Sequence, residues 1–228
     1  MLIDVTARDW AFAALLGQAR RQSNNAIRKT NRDRGDQKNI HVDLMGSISE
    51  ILALKYFRGK ITPTERRSTM AAMFRPEGGG GKLGADLNLS QLGLTLDVKT
   101  FDCEDNKRFF AINSSKHADL NGACDGYLCV ICPKYSTQAF IVDHVPYAEV
   151  TAWPSKALGG YGDASYNLPI GDFLSRYAGN SSLKNIKSSQ KYSKDEISDA
   201  IHDDVNLEMF YNLFPGSENF AVVSRRSA

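Results

Sequence analysis

The strongest constraint on the fold is the alternation of apolar and polar residues over residues 84–101, GADLNLSQLGLTLDVKTF. Alternation with a period of two is typical of a half-buried β-strand, because successive side chains of a strand point to opposite faces. A break at residues 90–93 predicts a hairpin loop. The polar face of this hairpin carries Asp97, although aspartate is among the poorest strand formers. The sequence therefore indicates that Asp97 serves a purpose other than folding.

The register of this hairpin would bring two carboxylates together. If residues 90–93 form the loop, apolar residues face apolar residues and Asp86 lies opposite Asp97. A shift by one residue would mix the two faces, which strand registers avoid. Carboxylates this close repel each other, and a hard cation such as Mg²⁺ removes the repulsion. Lys99 shares their face, so the set suits metal-assisted hydrolysis of a phosphodiester, with a surface ladder of ion pairs as the alternative.

A third carboxylate lies upstream, in a helix predicted over residues 43–57. Glu50 stands within the nearly continuous apolar run of residues 48–54, so we expect its side chain to be partly buried. A buried carboxylate needs a partner. A metal ion or a lysine at the hairpin would supply one, and an ion pair with Lys55 or Arg58 is the alternative.

These segments together resemble the PD-(D/E)XK nuclease superfamily, in particular its restriction-endonuclease-like and resolvase-like members. Three segments match the family's motif residues in the family's order along the chain. They are Glu50 within GSISEIL on a helix, Asp86 within GAD at the start of a strand, and Asp97-Val98-Lys99 on the next strand. Ala85 stands where the motif that names the family has proline. The resemblance covers roughly residues 40–145 and implies an α-β-β-β-α-β core around a mixed sheet.

The resemblance also implies a role for each matching residue. Asp86, Asp97 and the backbone carbonyl of Val98 would bind Mg²⁺, for which Mn²⁺ would substitute. Lys99 would orient or deprotonate the attacking water, and Glu50 would hold a water of the metal or complete the acidic cluster. The expected activity is that of a magnesium-dependent endonuclease acting on DNA, in the first place double-stranded DNA. Many enzymes of this type form homodimers, so a homodimer is expected by resemblance.

Basic residues outside this cluster are the expected contacts to nucleic acid. Residues 1–60 hold eleven Lys and Arg against six Asp and Glu, and the balance is reversed after residue 190. Such a region suits a polyanion, whose phosphates would be held by contacts that weaken with salt, and a solvated helix face is the alternative. The candidate contacts, of which the last two could instead be a helix cap and a surface residue, are Arg20, Arg21, Arg28, Lys29, Arg32, Arg34, Lys82, Asn113 and Lys116.

The order of predicted elements indicates an α/β or α+β fold, with a mixed central sheet flanked by helices and with helical extensions at both ends. Helices are predicted over 6–29, 43–57, 113–121 and 194–213, and strands over 108–112, 125–132 and 138–142. The segment 60–82 reads as irregular. The predicted divisions are a basic N-terminal helix and loop (1–39), a restriction-endonuclease-like nuclease core (40–150) and a C-terminal extension (151–228).

Composition favours a cytoplasmic protein with no membrane partner. Hydrophobic residues make up 42% and charged residues 24%, no apolar run is long enough to cross a bilayer, and the N-terminus lacks a signal-peptide pattern. All four cysteines lie within residues 103–132, and Cys129 and Cys132 have the spacing of half a zinc site. On a strand these two would point to opposite faces, so reduced thiols are favoured over metal or redox use.

Two other functions fit the same residues. A ribonuclease of the same fold is one, because a site centred on phosphate does not by itself distinguish the sugars. The other is a non-catalytic module that binds nucleic acid or recruits a partner. The intact acidic set with Lys99 argues against the second.

Overall fold

The computed structural model describes residues 1–27, 36–73, 84–103, 109–157, 164–178 and 188–202. The helices within these ranges are α1 (Ala7–Ile27), α2 (Asp36–Tyr56), α3 (Pro63–Met73), α4 (Ser114–Asp119), α5 (Tyr147–Val150), α6 (Ile170–Tyr177) and α7 (Lys194–His202). The strands are β1 (Leu2–Asp4), β2 (Leu87–Leu89), β3 (Leu94–Phe101), β4 (Phe109–Asn113), β5 (Gly126–Ile131), β6 (Gln138–Pro146), β7 (Ser155–Ala157) and β8 (Ala164–Pro169).

The strands form two sheets. The larger has the order β1-β6-β5-β3-β2, in which β3 and β5 are parallel and all other neighbours are antiparallel. The smaller is antiparallel, with the order β4-β8-β7. The chain is therefore a mixed α/β protein built on a mixed sheet with flanking helices, which confirms the predicted fold class at that level.

Two apolar cores lie on opposite faces of the larger sheet. One contains Leu96 and Val98 of β3 and side chains of α1, α2 and α7. The other contains Tyr127 and Cys129 of β5 together with side chains of α5, α6 and the smaller sheet. Because both faces are covered, every residue of β5 is buried, and so are Leu96, Asp97 and Val98 at the centre of β3. A polar residue in the middle of β3 thus lies in the interior and not on a solvated face.

The predicted hairpin register is confirmed. Leu87 pairs with Leu96 and Leu89 with Leu94 across β2 and β3. The loop is a short 3₁₀ turn over Ser90–Leu92, followed by Gly93 with φ of 58°. That left-handed conformation is accessible to glycine at little cost, which explains why glycine ends the loop.

Two predictions about helices were wrong. The second helix begins at Asp36 and not at residue 43, so part of the predicted loop is helical. The segment predicted as irregular contains α3. Its N-terminus carries a signal that the prediction overlooked, since Thr62 and Glu65 match a capping box with Pro63 at the first helical position. Thr62 Oγ1 accepts a hydrogen bond from the backbone N–H of Glu65 at 3.3 Å.

Helix α3 is bound to the hairpin loop by reciprocal hydrogen bonds. Gln91 Oε1 accepts from the Thr62 backbone N–H at 2.9 Å, while Glu65 Oε1 accepts from the Gln91 backbone N–H and from Ser90 Oγ, both at 2.9 Å. The glutamate that would usually cap its own helix instead caps the loop. This exchange fixes the end of the β2–β3 hairpin against the helical layer.

The strand predicted over residues 108–112 is present as β4, but it pairs with β8 in the smaller sheet. The chain thus leaves the larger sheet after β3, passes through β4 and α4, and returns as β5 parallel to β3. Local alternation could not predict this, because the partner strand lies more than 50 residues away.

The prediction that Cys129 and Cys132 point to opposite faces of the sheet is confirmed. All four cysteines are buried, and none forms a disulfide. Cys132 lies in the core beneath α1 and α2, whereas Cys129 lies in the opposite core. Two thiols on opposite faces of one sheet do not form half of a zinc site.

Several expectations concern other parts of the chain. Helix α7 confirms the first half of the predicted C-terminal helix, and residues 203–213 lie outside the described residues. No helix in the described ranges combines the length and the apolar character needed to cross a membrane. The predicted division into three regions stays a prediction, although β4 before residue 150 and β8 after it belong to one sheet.

Replacing Gly126 by alanine should destabilise the protein by about 1–3 kcal/mol. A Cβ at this position would lie 2.4 Å from the carbonyl oxygen of Val145 on the neighbouring strand. Backbone has to move to relieve such a contact, and β5 is central to the larger sheet. Chemical denaturation of Gly126→Ala measures the change in the free energy of unfolding.

Gly46→Ala is the matched control, because a Cβ there meets no atom within 4 Å and the residue lies inside α2. Alanine is the better helix former, so this variant should gain up to about 1 kcal/mol. Equal stability of Gly126→Ala and the wild type would contradict the close approach of β5 to β6.

Candidate active site

Asp97 lies at the centre of the candidate site, on β3, with no exposed surface. Its Oδ2 accepts a short hydrogen bond from Lys99 Nζ, on the same face of the strand. Its Oδ1 forms an ion pair with Lys116 Nζ at 2.9 Å, and no well-aligned hydrogen-bond donor reaches this oxygen from the described part of the chain. The alternative of a surface ion-pair ladder is wrong about the surface, because Asp97 is inside the protein. Its ion pairing is confirmed, since Asp97 is paired with Lys99 and with a neighbour, Lys116.

Asp86 immediately precedes β2 and meets β3 through its side chain. The paired part of the hairpin ends at Leu96, and beyond it no strand in the described ranges pairs with β3 on that side. Asp86 Oδ2 accepts a hydrogen bond from the backbone N–H of Val98 at 2.7 Å. The carboxylate therefore occupies the place of a further strand residue, which holds it next to the Asp97-Val98-Lys99 triplet.

Glu50 is buried in α2, as the sequence predicted, and its partner is Arg20 of α1. Two guanidinium nitrogens bind the two carboxylate oxygens at 2.7 and 2.5 Å, in a bidentate arrangement. Arg20 also donates to the carbonyl oxygen of Met73 at 2.9 and 2.7 Å, where α3 ends. One arginine therefore connects three helices, and neither Lys55 nor a residue of the hairpin is the partner of Glu50.

Helix α2 is held against β3 by Ser49, the residue before Glu50. Thr100 Oγ1 lies 2.7 Å from Ser49 Oγ, which itself donates to the Met45 carbonyl oxygen at 2.9 Å. Ser49 is fully buried. These contacts explain how a helical glutamate comes close to two aspartates of the hairpin.

The three carboxylates share one electrostatic environment. The pKa of Asp86 is raised to about 7, first by burial and then by the negative charges of Asp97 and Glu50. Burial alone would raise the pKa of Asp97 as well, but Lys99 and Lys116 hold it below its ordinary value. The site thus contains a carboxylate kept charged by two lysines and a second one that titrates near neutral pH.

A group of aromatic rings lies beneath the two lysines. Lys99 Nζ is 5.6 Å from the centroid of the Tyr127 ring, and Tyr127 Oη is 2.7 Å from His117 Nδ1. His117 stacks on Tyr147 with centroids 3.9 Å apart, and Tyr147 Oη donates to the His117 carbonyl oxygen at 2.5 Å. Burial lowers the pKa of His117, which favours a neutral imidazole. These contacts fix the backbone that carries Lys116.

The residues present fit a magnesium ion of the kind bound by two carboxylates. In the described ranges, no three His, Cys, Asp or Glu side chains are gathered so as to hold a metal ion by themselves. Magnesium does not require such a group, since it commonly takes one or two carboxylates and completes its shell with water and phosphate. Asp97 Oδ1 is a buried carboxylate oxygen that no well-aligned hydrogen-bond donor reaches from the described part of the chain. It is the ligand that such an ion would use, together with Asp86.

The structure brings together all four residues predicted to be catalytic, and it also shows the surroundings of several predicted nucleic-acid contacts. Arg20 is engaged with Glu50, and its side chain is only 16% exposed. Arg21 follows it on α1. Asn113 caps α4, because its Oδ1 accepts a hydrogen bond from the backbone N–H of Lys116 at 2.9 Å. The alternative that Asn113 is a helix cap is therefore confirmed. The remaining candidates, which lie outside the described residues, are Arg28, Lys29, Arg32, Arg34 and Lys82.

Sequence reasoning identified the acidic residues of the site and Lys99, but not the pairing of Glu50 with Arg20 or of Asp97 with Lys116. Arg20 and Glu50 lie 30 residues apart on helices that pack together, and no local pattern announces the pair. Lys116 was considered as a contact to substrate, whereas the structure pairs it with Asp97. The only signal for either pair is the general rule that a buried carboxylate needs a cation.

Replacing Asp86 by asparagine should stabilise the protein more at pH 8 than at pH 5. A carboxyl with a folded-state pKa of about 7, above the ordinary 3.8, binds its proton more tightly in the folded protein. Its contribution to stability is therefore lost as the pH rises from about 4 through about 7. Asparagine keeps an acceptor for the Val98 N–H without this loss, so its advantage should grow between the two pH values by at most about 3 kcal/mol.

The measurement is denaturant unfolding of both proteins at pH 5 and pH 8 with EDTA present. Asp125→Asn is the matched control, because Asp125 is an exposed carboxylate that accepts from the Thr95 backbone N–H of the same strand at 2.6 Å. Asp125 is not among the main charges that shift the pKa of Asp86 or of Asp97, and its variant should lose stability at both pH values. A pH-independent difference between Asp86→Asn and the wild type would contradict the raised pKa.

No family model matches the chain, and neither a curated protein nor a solved structure matches it. What the site can do is therefore decided by its own geometry. That geometry consists of three neighbouring carboxylates, Glu50, Asp86 and Asp97, each with a defined donor or cation.

Proposed function

We propose that this chain is a magnesium-dependent nuclease that hydrolyses phosphodiester bonds of DNA as an endonuclease. The observation that carries the proposal is the convergence of Glu50, Asp86, Asp97 and Lys99 from α2, from the residue before β2 and from β3. Gathering like charges in the interior costs free energy, so folding alone does not favour it. Perturbed carboxylates of this kind concentrate at sites of chemistry.

Asp86 and Asp97, with the backbone carbonyl of Val98, would hold the metal ion. Bound Mg²⁺ supplies a Lewis acid that stabilises negative charge on the phosphoryl group and promotes deprotonation of water. Asp86 is oriented for this by the Val98 N–H, and Asp97 by Lys99. Both carboxylates are preorganised by the hairpin register, which lowers the cost of bringing them together at the time of reaction.

Lys99 orients the water that attacks phosphorus. Its ammonium group lies on the same strand face as the Asp97 carboxylate, beside the place where the phosphate would bind. In the reaction a new bond forms between the water oxygen and phosphorus, and the bond to the leaving oxygen breaks. Glu50 completes the acidic cluster, and the bidentate contact with Arg20 keeps its carboxylate in place.

The fold supports the proposal in part. The Glu50 helix, the β2–β3 hairpin, the α4 crossover and the parallel strand β5 follow one another in the order expected of a restriction-endonuclease-like core. The departure is β4, which belongs to the smaller sheet and not to the central one. A homodimer would place two such sites on the two strands of a duplex.

Purified protein incubated with plasmid, linear duplex, single-stranded and branched DNA should cleave DNA with Mg²⁺ or Mn²⁺ and not with EDTA. Lys99→Ala and Asp97→Asn should each lower the single-turnover rate by at least about 100-fold, because the first removes the group that orients the water and the second removes a ligand of the metal ion. Asp125→Asn should cleave at the wild-type rate, since that carboxylate caps the other end of β3. Gel analysis of product lengths reports both the rate and the mode of cutting.

Three outcomes would count against the proposal. Cleavage that persists in EDTA or in Lys99→Ala would contradict the mechanism. Cleavage of matched RNA in preference to DNA would make the protein a ribonuclease with the same site. Binding of DNA with no cleavage of any substrate would leave a binding module.

A further inference from the structure

The buried carboxylate of Asp97 has two lysines where one would neutralise it. Lys99 Nζ hydrogen-bonds Oδ2, and Lys116 Nζ lies 2.9 Å from Oδ1. Glu50 does not need the second lysine, because Arg20 already binds both of its oxygens. Asp86 is the third acid of the cluster and lies in the field of both lysines, so three carboxylates meet three cations in the metal-free protein. A bound divalent cation would supply the charge that Lys116 contributes and would release this lysine from the carboxylate.

The two lysines differ in how they reach the carboxylate. Lys99 lies two residues from Asp97 on the same strand, and its side chain is 19% exposed. Lys116 comes from α4, and its side chain is 35% exposed although Asp97 itself is fully buried. Lys116 therefore lies at the open side of the site, between the carboxylate and solvent.

The backbone beneath Lys116 is firmly held. Asn113 caps its N–H, and Ser114 Oγ donates to the Ala164 carbonyl oxygen at 2.6 Å. His117, the next residue, is buried and stacked on Tyr147. A fixed backbone with a half-open side chain allows the ammonium group to move over a few ångströms while the helix stays in place.

The contact of Lys116 with Asp97 is one that can be exchanged. Oδ1 is paired with Lys116 Nζ at 2.9 Å, on the half-exposed side of the site. An ammonium ion paired in this way occupies an oxygen that a divalent cation would otherwise use. Lys116 is the lysine on that oxygen.

We propose that Lys116 is a second catalytic lysine, which neutralises Asp97 Oδ1 in the metal-free protein and contacts a non-bridging phosphate oxygen when substrate is bound. This inference rests on the proposed function. It assigns Lys116 two successive partners, a carboxylate of its own chain and a phosphate of the substrate. Both are anionic oxygens, so the same ammonium group serves both, and the movement needs no rearrangement of α4.

Lys116→Met tests the inference through metal binding and through cleavage. Removing a positive charge beside Oδ1 removes a competitor of the metal ion, so Mn²⁺ should bind about tenfold more tightly than to the wild type. The same variant should cleave DNA at least about tenfold more slowly in single turnover at saturating Mn²⁺, because a donor to the phosphate is lost. Titration followed by the electron paramagnetic resonance of free Mn²⁺ measures the affinity without any substrate.

Lys134→Met is the matched control. Lys134 is a partly exposed lysine whose Nζ lies 4.9 Å from the centroid of the Tyr135 ring, and it belongs to the turn between β5 and β6. Its replacement should change neither the Mn²⁺ affinity nor the rate of cleavage. Thermal unfolding of each variant, with Lys116→Gln as a second replacement, separates loss of function from loss of fold.

Unchanged or weaker Mn²⁺ binding by Lys116→Met and Lys116→Gln would overturn the inference, and so would an unchanged rate of cleavage. Asp97→Asn distinguishes this failure from failure of the proposed function. If Asp97→Asn loses Mn²⁺ binding while the Lys116 variants bind no more tightly, only the role of Lys116 is wrong. If Asp97→Asn binds Mn²⁺ as well as the wild type does, the metal site itself is wrong.

Discussion

The burial of one charged side chain, Asp97, is the constraint on which the rest of the site depends. A carboxylate in the centre of a sheet that is covered on both faces is strongly destabilising unless cations reach it. Lys99 reaches it along the strand, and Lys116 reaches it from the crossover between β3 and β5. The position of α4, and therefore of the smaller sheet that holds α4, is tied to the need to neutralise this group.

The same requirement explains the packing of the helical layer. Glu50 is buried in α2, and the arginine that neutralises it comes from α1 and also binds the end of α3. A structural ion-pair network would be expected to match each acid with a base and leave every pKa near or below its ordinary value. Asp86, with a pKa of about 7 and a backbone N–H as its hydrogen-bond donor, does not follow that pattern.

Sequence patterns predicted the structure that depends on neighbouring residues and missed the contacts between residues far apart in the chain. The hairpin register followed from alternation and a loop of four residues, and α4 from a capping asparagine. Alternation could not show that the polar face of β3 is buried, because a second layer of structure covers it. That layer depends on the pairing of β4 with β8, for which neither strand carries a local signal. The partners that come from other elements, Arg20 for Glu50 and Lys116 for Asp97, were missed for the same reason, since ion pairs between elements leave no periodic trace.

The pairing of β4 with β8 also sets an order of events during synthesis of the chain. Asp86, Asp97 and Lys99 are joined by a hairpin that can close as soon as residue 101 has emerged. The segment that carries Lys116 is held by β8 and by the carbonyl of Ala164, which are made some fifty residues later. A nascent chain would therefore assemble its acidic pair first and receive the second lysine last, so that a half-made protein carries an incomplete site.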